Sequence, residues 1–180
     1  VGALSVFETF GAEIHSIPID KDGIDIKALK RKIASLDRTP KFLYVTPNYH
    51  NPAGIIYTPE RKKELLEVLS GTGIILLEDD AYSDLYFNED EKYLTKSMKS
   101  FGVKDVDIIY TGSFSKILGP GFRLGYMLSS PEIFEKAEMI KQALDACTSN
   151  FMQILGNEFL AQHKLESYLK FLRSEYLERK

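Results

Sequence analysis

The chain has 180 residues, of which 44% are hydrophobic, 27% charged and 12% aromatic. That balance excludes a disordered, collagen-like or coiled-coil polypeptide and allows one sizeable core, because a chain this long buries roughly 70% of its unfolded surface. The formal net charge is −3 and no Lys/Arg stripe runs through the sequence, so nucleic acid is not an expected partner of this segment.

In chain order the hydrophobic pattern alternates between two kinds of segment. Short, β-rich apolar runs occupy residues 13–19, 41–46, 73–78, 107–111 and 123–128. Helix-period stretches fill residues 26–36, 58–70 and a long region from 130 onward. Strands of four to eight residues alternating with longer helices predict an α/β fold, a mostly parallel sheet with helices on both faces. Thr58 caps a helix, Pro59 suits its first position, and Glu60 complements the positive dipole end. Leu65, Leu66 and Leu69 then share a face, and Gly71 stops the helix in a left-handed position. Ser130-Pro131-Glu132 repeats the start signal. Met139, Ile140, Leu144 and Cys147 read as core-facing helix positions. One α/β domain is expected over residues 1–164, with a helical tail at 165–180 leading elsewhere. Cys147, the one cysteine, cannot close an internal disulfide, which agrees with a reducing, cytoplasmic setting. The apolar runs are too short for a membrane span. The chain opens on Val1 inside a helical pattern, so a piece of a longer protein is expected.

In parallel sheets function gathers where strands end, at the carboxyl edge. Three predicted strands end in polar residues there: Thr46 to Gly54 after the first, Glu78-Asp79-Asp80-Ala81-Tyr82 after the second, and Gly112-Ser113-Phe114-Ser115-Lys116 after the third. Taken singly, each has a plain reading. Asn51-Pro52-Ala53-Gly54 is turn chemistry. The acidic run is either a set of solvated carboxylates or a functional cluster. A Mg²⁺ role would need a Gly-rich phosphate loop ending in Gly-Lys-Ser/Thr, which the sequence lacks, and His15, His50 and His163 show no metal-ligand spacing, so no metal is expected. Gly119 to Gly125 resembles a dinucleotide loop only superficially, because a strand follows it. Lys116 alone would be a surface lysine.

Together the motifs stand in a fixed order: Asn51, then Asp79 with Tyr82 three residues on, then Ser113-x-Ser115-Lys116, then Arg123 seven residues past the lysine. The set resembles the large domain of fold-type-I pyridoxal-phosphate enzymes, the class I/II aminotransferases. It is most similar to the 2-aminoadipate/kynurenine/aromatic aminotransferase subgroup, which shares this domain with MocR-type transcriptional regulators. Ile17-Pro18-Ile19-Asp20 with Gly23-Ile24-Asp25, and Arg123-Leu124-Gly125-Tyr126, carry the similarity along the chain.

The resemblance implies pyridoxal 5'-phosphate as cofactor and an amino acid and a 2-oxo acid as substrates. Lys116 matches the family's Schiff-base lysine and proton-transfer base. Asp79, rather than Asp80, matches the carboxylate at the pyridine nitrogen, and Tyr82 and Asn51 match donors to the ring's phenolic oxygen. Ser113, Ser115 and Arg123 match the phosphate site, where Arg forks across two oxygens. Ala53 stands where many relatives have Thr, and His50 where many have Gln. Relatives also carry a preceding glycine-containing phosphate loop and stacking aromatic, and a following small domain with an arginine for the substrate carboxylate. They act as homodimers. The expected function is transamination in the full-length protein, with this segment inactive alone. The effector-sensing domain of a MocR-type regulator is the alternative, and a β-lyase or decarboxylase on the same fold a smaller one.

Overall fold

Helix α1 (Gly2–Thr9) opens the chain, followed by the short antiparallel pair β1 (Ile19–Asp20) and β2 (Gly23–Ile24) and helix α2 (Ile26–Ser35). In this computed structural model residues 2–179 are described. Strand β3 (Phe42–Val45) leads through a loop into α3 (Pro59–Leu69), and β4 (Ile75–Asp80) through an excursion into β5 (Ile108–Ser113). The excursion holds the 3₁₀ turns Ser83–Leu85 and Met98–Phe101 and helix α4 (Glu89–Leu94). Strand β6 (Gly125–Leu128) precedes three helices, α5 (Pro131–Asp145), α6 (Asn150–Ala161) and α7 (Leu165–Glu178). Strands β3, β4, β5 and β6 form one sheet in that order, the first three parallel and β6 antiparallel.

Both predicted helix starts fall where expected, but only Thr58 caps with its side chain; Ser130 at the start of α5 makes no such bond. Thr58 accepts a hydrogen bond from the Arg61 amide, Pro59 takes the first turn of α3, and Gly71 beyond its end adopts φ +70°. Asp25, a cap that the sequence reading did not single out, closes the start of α2 through the Ala28 amide at 2.9 Å. Leu65, Leu66 and Leu69 of α3 pack with Val45, Leu76 and Ile108 on one face of the sheet, each essentially dry. A fully buried Leu contributes about 1.5–3 kcal/mol, so this layer is the anchor of the fold. On the opposite face, Phe7 of α1 meets the rings of Phe42 and Tyr44 edge-on.

Three expectations change. Residues 13–18 lie outside any ladder and only Ile19–Asp20 pairs, because a strand needs a neighbour as well as a β-rich composition. The long helical region is broken twice, near Ala146 and His163, which both take positive φ. The Met139, Ile140 and Leu144 stripe on α5 is 66%, 58% and 73% exposed, and Cys147 is exposed. Periodicity shows which side of a helix is apolar, and among the described residues nothing covers this side. Among the described residues no helix is long and apolar enough to cross a membrane, and no cluster of His, Cys, Asp or Glu is placed to hold a metal ion.

Candidate active site

Successive residues of a strand point to opposite faces, and this separates the acidic run at the end of β4. Glu78 and Asp80 are buried on the core side with Leu76, whereas Asp79 shares the other, half-buried side with Ile75 and Leu77. Asp80 accepts hydrogen bonds from the Tyr110 hydroxyl at 2.9 Å and the Ser83 amide at 3.2 Å. Glu78 accepts from the Ser97 hydroxyl at 2.8 Å and the Met98 amide at 3.0 Å. Burial pushes the Glu78 carboxyl up from its ordinary range, while these two donors pull it back.

Asp79 is held from both neighbouring strands. The Tyr44 hydroxyl of β3 donates to Oδ2 at 2.6 Å and the Thr111 hydroxyl of β5 lies 3.4 Å from Oδ1. Partial burial, and the Asp79 carboxylate it serves, push the Tyr44 phenol upward, so it stays a proton donor. Sequence reading missed both partners. They become visible only in the register, where Thr111 pairs with Asp79 and Tyr44 pairs with Leu77, two residues back on the same face.

Tyr82 leads into the 3₁₀ turn after β4, and the Lys116 ammonium lies 5.4 Å from the centre of its ring. Lys116 gets there because β5 ends in the 3₁₀ turn Phe114–Lys116, begun by Ser113, whose hydroxyl accepts the Ser115 amide at 3.2 Å. A second turn, Pro120–Phe122, ends at Arg123 in the left-handed region, and the Phe114 amide then bonds the Leu124 carbonyl at 3.0 Å. Ser113 pairs with Gly125, so Arg123 is returned close to the two serines. Asn51 sits in the loop after β3, closed by the His50 amide on the Ile55 carbonyl at 2.9 Å, with a cis bond to Pro52. The structure thus joins Tyr82 to Lys116 and Ser113 to Ser115, whereas Asn51 and Arg123 stand exposed on loops of the same edge. The site is open. An apolar cleft between α2 and β3, lined by Leu29, Ile33 and Leu43, includes none of these residues.

The donor set is chemically suited to pyridoxal phosphate. It offers a carboxylate for a protonated ring nitrogen, a phenol for the ring oxygen, an amine for the aldehyde, and two hydroxyls and a guanidinium for a phosphate. Comparison with known proteins points the same way. The family described as aminotransferase class I and II matches residues 4–180. Aromatic-amino-acid aminotransferase 1 of Thermococcus litoralis is 32% identical, over 94% of this chain and 40% of its own length. The HTH-type transcriptional regulator YisV of Bacillus subtilis is 31% identical, over 99% of this chain and 36% of its own. The crystal structure of Pyrococcus horikoshii kynurenine aminotransferase, in complex with PMP, matches with a TM-score of 0.90 and 34% identity, over 98% of this chain and 44% of that one. The chain therefore spans about two fifths of the length of these relatives. The family uses pyridoxal phosphate. With a family pattern along nearly its whole length and the same fold in a relative of 34% identity, the chain belongs to the class I and II aminotransferases.

Proposed function

We propose that this chain supplies the cofactor-binding centre of a pyridoxal-phosphate-dependent transaminase, which moves an amino group between an amino acid and a 2-oxo acid. The observation that carries the reading is the placement of Lys116 against Tyr82, 5.4 Å from ring centre to ammonium, at the strand edge where Asp79 opens. When bound, pyridoxal phosphate withdraws electrons from the substrate's α-carbon. Asp79 holds a proton on the ring nitrogen, and Tyr44 and Thr111 fix the carboxylate that does so. Tyr82 and Asn51 donate to the phenolic oxygen, while Ser113, Ser115 and Arg123 bind the phosphate. Lys116 would hold the cofactor at its aldehyde carbon, and its amine, when free, would serve as the base for the proton on the substrate's α-carbon. The exposed apolar residues of α5 and α6, among them Leu144 and Phe151, support a homodimer in a full-length protein.

The experiment is borohydride reduction of the cofactor-loaded, full-length protein carrying these residues, followed by peptide mapping. The pyridoxyl label is expected on Lys116; label elsewhere, or none, defeats the reading. The effector-sensing domain of a MocR-type regulator is a second reading, favoured by the match to YisV over 99% of the chain. Amino-group transfer to a 2-oxo acid favours the enzyme. Sequence-specific DNA binding without transfer favours the regulator.

A further inference from the structure

Beneath the candidate site lies a lysine that the roles above do not use. Lys62 of α3 is 0% exposed, although α3 is otherwise buried through leucines. A buried ammonium is tolerated when each of its three N–H groups has an acceptor. Here all three do: Nζ donates to Asn48 Oδ1 at 2.9 Å, the Leu94 carbonyl at 2.7 Å and the Lys96 carbonyl at 2.8 Å. Asn48, 1% exposed, turns its amide nitrogen to the carbonyl between those two, Thr95 O, at 3.0 Å. Three successive carbonyls of the excursion thus end on one lysine–asparagine pair. The same stretch continues into Ser97 and Met98, which bond Glu78, the residue before Asp79. Glu78 and Asp80 of β4 also attract the ammonium. At the rim the Tyr49 hydroxyl repeats the link, donating to Glu91 at 2.8 Å.

We propose that Lys62 is a positioning residue: with Asn48 it locks the loop that carries Asn51, and the excursion that begins at Tyr82, onto the end of β4. The proposal rests on the reading of Asn51 and Tyr82 as cofactor-binding residues. An apolar side chain of the same length would fill the space but leave the carbonyls of Leu94 and Lys96 and the Asn48 oxygen without this donor. Packing alone therefore does not account for the lysine. The three segments that meet at it, the loop of Asn48, the end of β4 and the excursion, are the same ones that carry Asn51, Asp79 and Tyr82.

Amide hydrogen exchange on the purified protein tests the hub without cofactor. Lys62→Met should speed exchange within residues 48–51 and 94–98 by about tenfold or more, leaving the paired amides of β4 and β5 unchanged, and in a full-length protein carrying these residues, where all binding is compared, should weaken pyridoxal phosphate binding about tenfold. Leu69→Ala, a core substitution outside the hub, should lower stability without that local signature. Uniform acceleration in Lys62→Met, or none, overturns the proposal. Should that variant not fold, Asn48→Ala cuts the loop's own link and is judged by the same two outcomes. Tyr82→Phe separates the two readings. If it leaves pyridoxal phosphate binding unchanged, the functional reading fails and the positioning role falls with it. If it weakens binding while Lys62→Met does not, the positioning role alone is overturned.

Discussion

Asp79 and Asp80 are adjacent in sequence and identical in type, yet the strand turns them to opposite faces and gives them different partners. Asp80 is satisfied inside the fold by Tyr110 and Ser83, whereas Asp79 is held by Tyr44 and Thr111 on the opposite face of the sheet. In a full-length protein carrying these residues, Asp79→Asn should cut kcat/KM about a hundredfold or more, the scale of losing one charge aimed at the reacting group. Asp80→Asn should act mainly on stability. Equal losses of kcat/KM, or the reverse order, would contradict the assignment. Lys62 offers a pH test. Burial lowers its pKa from 10.5 to about 8 in the folded chain, against the pull of Glu78 and Asp80. Between those two values the unfolded chain keeps a proton that the folded chain has released, so the Lys62 contribution to stability rises with pH across the window. Relative to Lys62→Met, the unsubstituted chain should gain about 3 kcal/mol between pH 7 and pH 10.5 in urea unfolding. A flat or falling difference would show that the ammonium stays charged throughout.

The pairing of β5 with β6 depends on an absent side chain. Gly112 stands opposite Tyr126, and a Cβ there would fall inside the contact distance of the Tyr126 ring. That ring is 42% exposed but rests near Tyr110 and Phe114, with centroids 6.1 and 5.6 Å away, so it can clear an added Cβ only by giving up those contacts. Gly112→Ala should cost about 1–3 kcal/mol in chemical unfolding. In a Tyr126→Ala background the same change should cost clearly less, and equal costs would mean that the ring is not the obstacle. The elements most legible in the sequence were those whose signal is local. Strands β3 to β6 followed from short apolar runs, α2 from apolar spacing, and α3 from apolar spacing with Thr58 as its cap. What depended on distant partners was not legible. Residues 13–18 carry a strand's composition without a ladder, α5 has an apolar side without a cover, and the turns and short helix of the excursion are too brief to show a period. The candidate site divides in the same way. Asp79, Tyr82, Ser113 and Lys116 were singled out by the order of their motifs and its resemblance to a family pattern, since each taken alone had a plain reading. Tyr44, Thr111 and Lys62 emerge only when register and burial are known, because nothing in their sequence neighbourhood distinguishes them.

For the molecule as a whole, the decisive property of the site is that it is an edge rather than an enclosure. Asn51, Lys116 and Arg123 are exposed, and Tyr82, Ser113 and Ser115 only half-buried. Sites for molecules of cofactor size normally bury 70–90% of the ligand surface. Here the ring and phosphate would rest on one wall, with the other side open to water. The relatives are more than twice as long as the portion matched, so they have further residues from which to build a second wall. Charge-assisted hydrogen bonds are worth about 1.5–3 kcal/mol each, and a tenfold change in affinity is 1.4 kcal/mol, so two missing donors weaken binding about a hundredfold or more. The 180-residue chain by itself should therefore bind pyridoxal phosphate weakly or not at all, although it carries every cofactor contact assigned above. Titration followed by visible absorbance measures this directly, with Lys116→Ala as the control for covalent attachment. A tight, stoichiometric signal that disappears in Lys116→Ala would mean that one wall, held in place by β4 and the Lys62 hub, is sufficient to hold the cofactor.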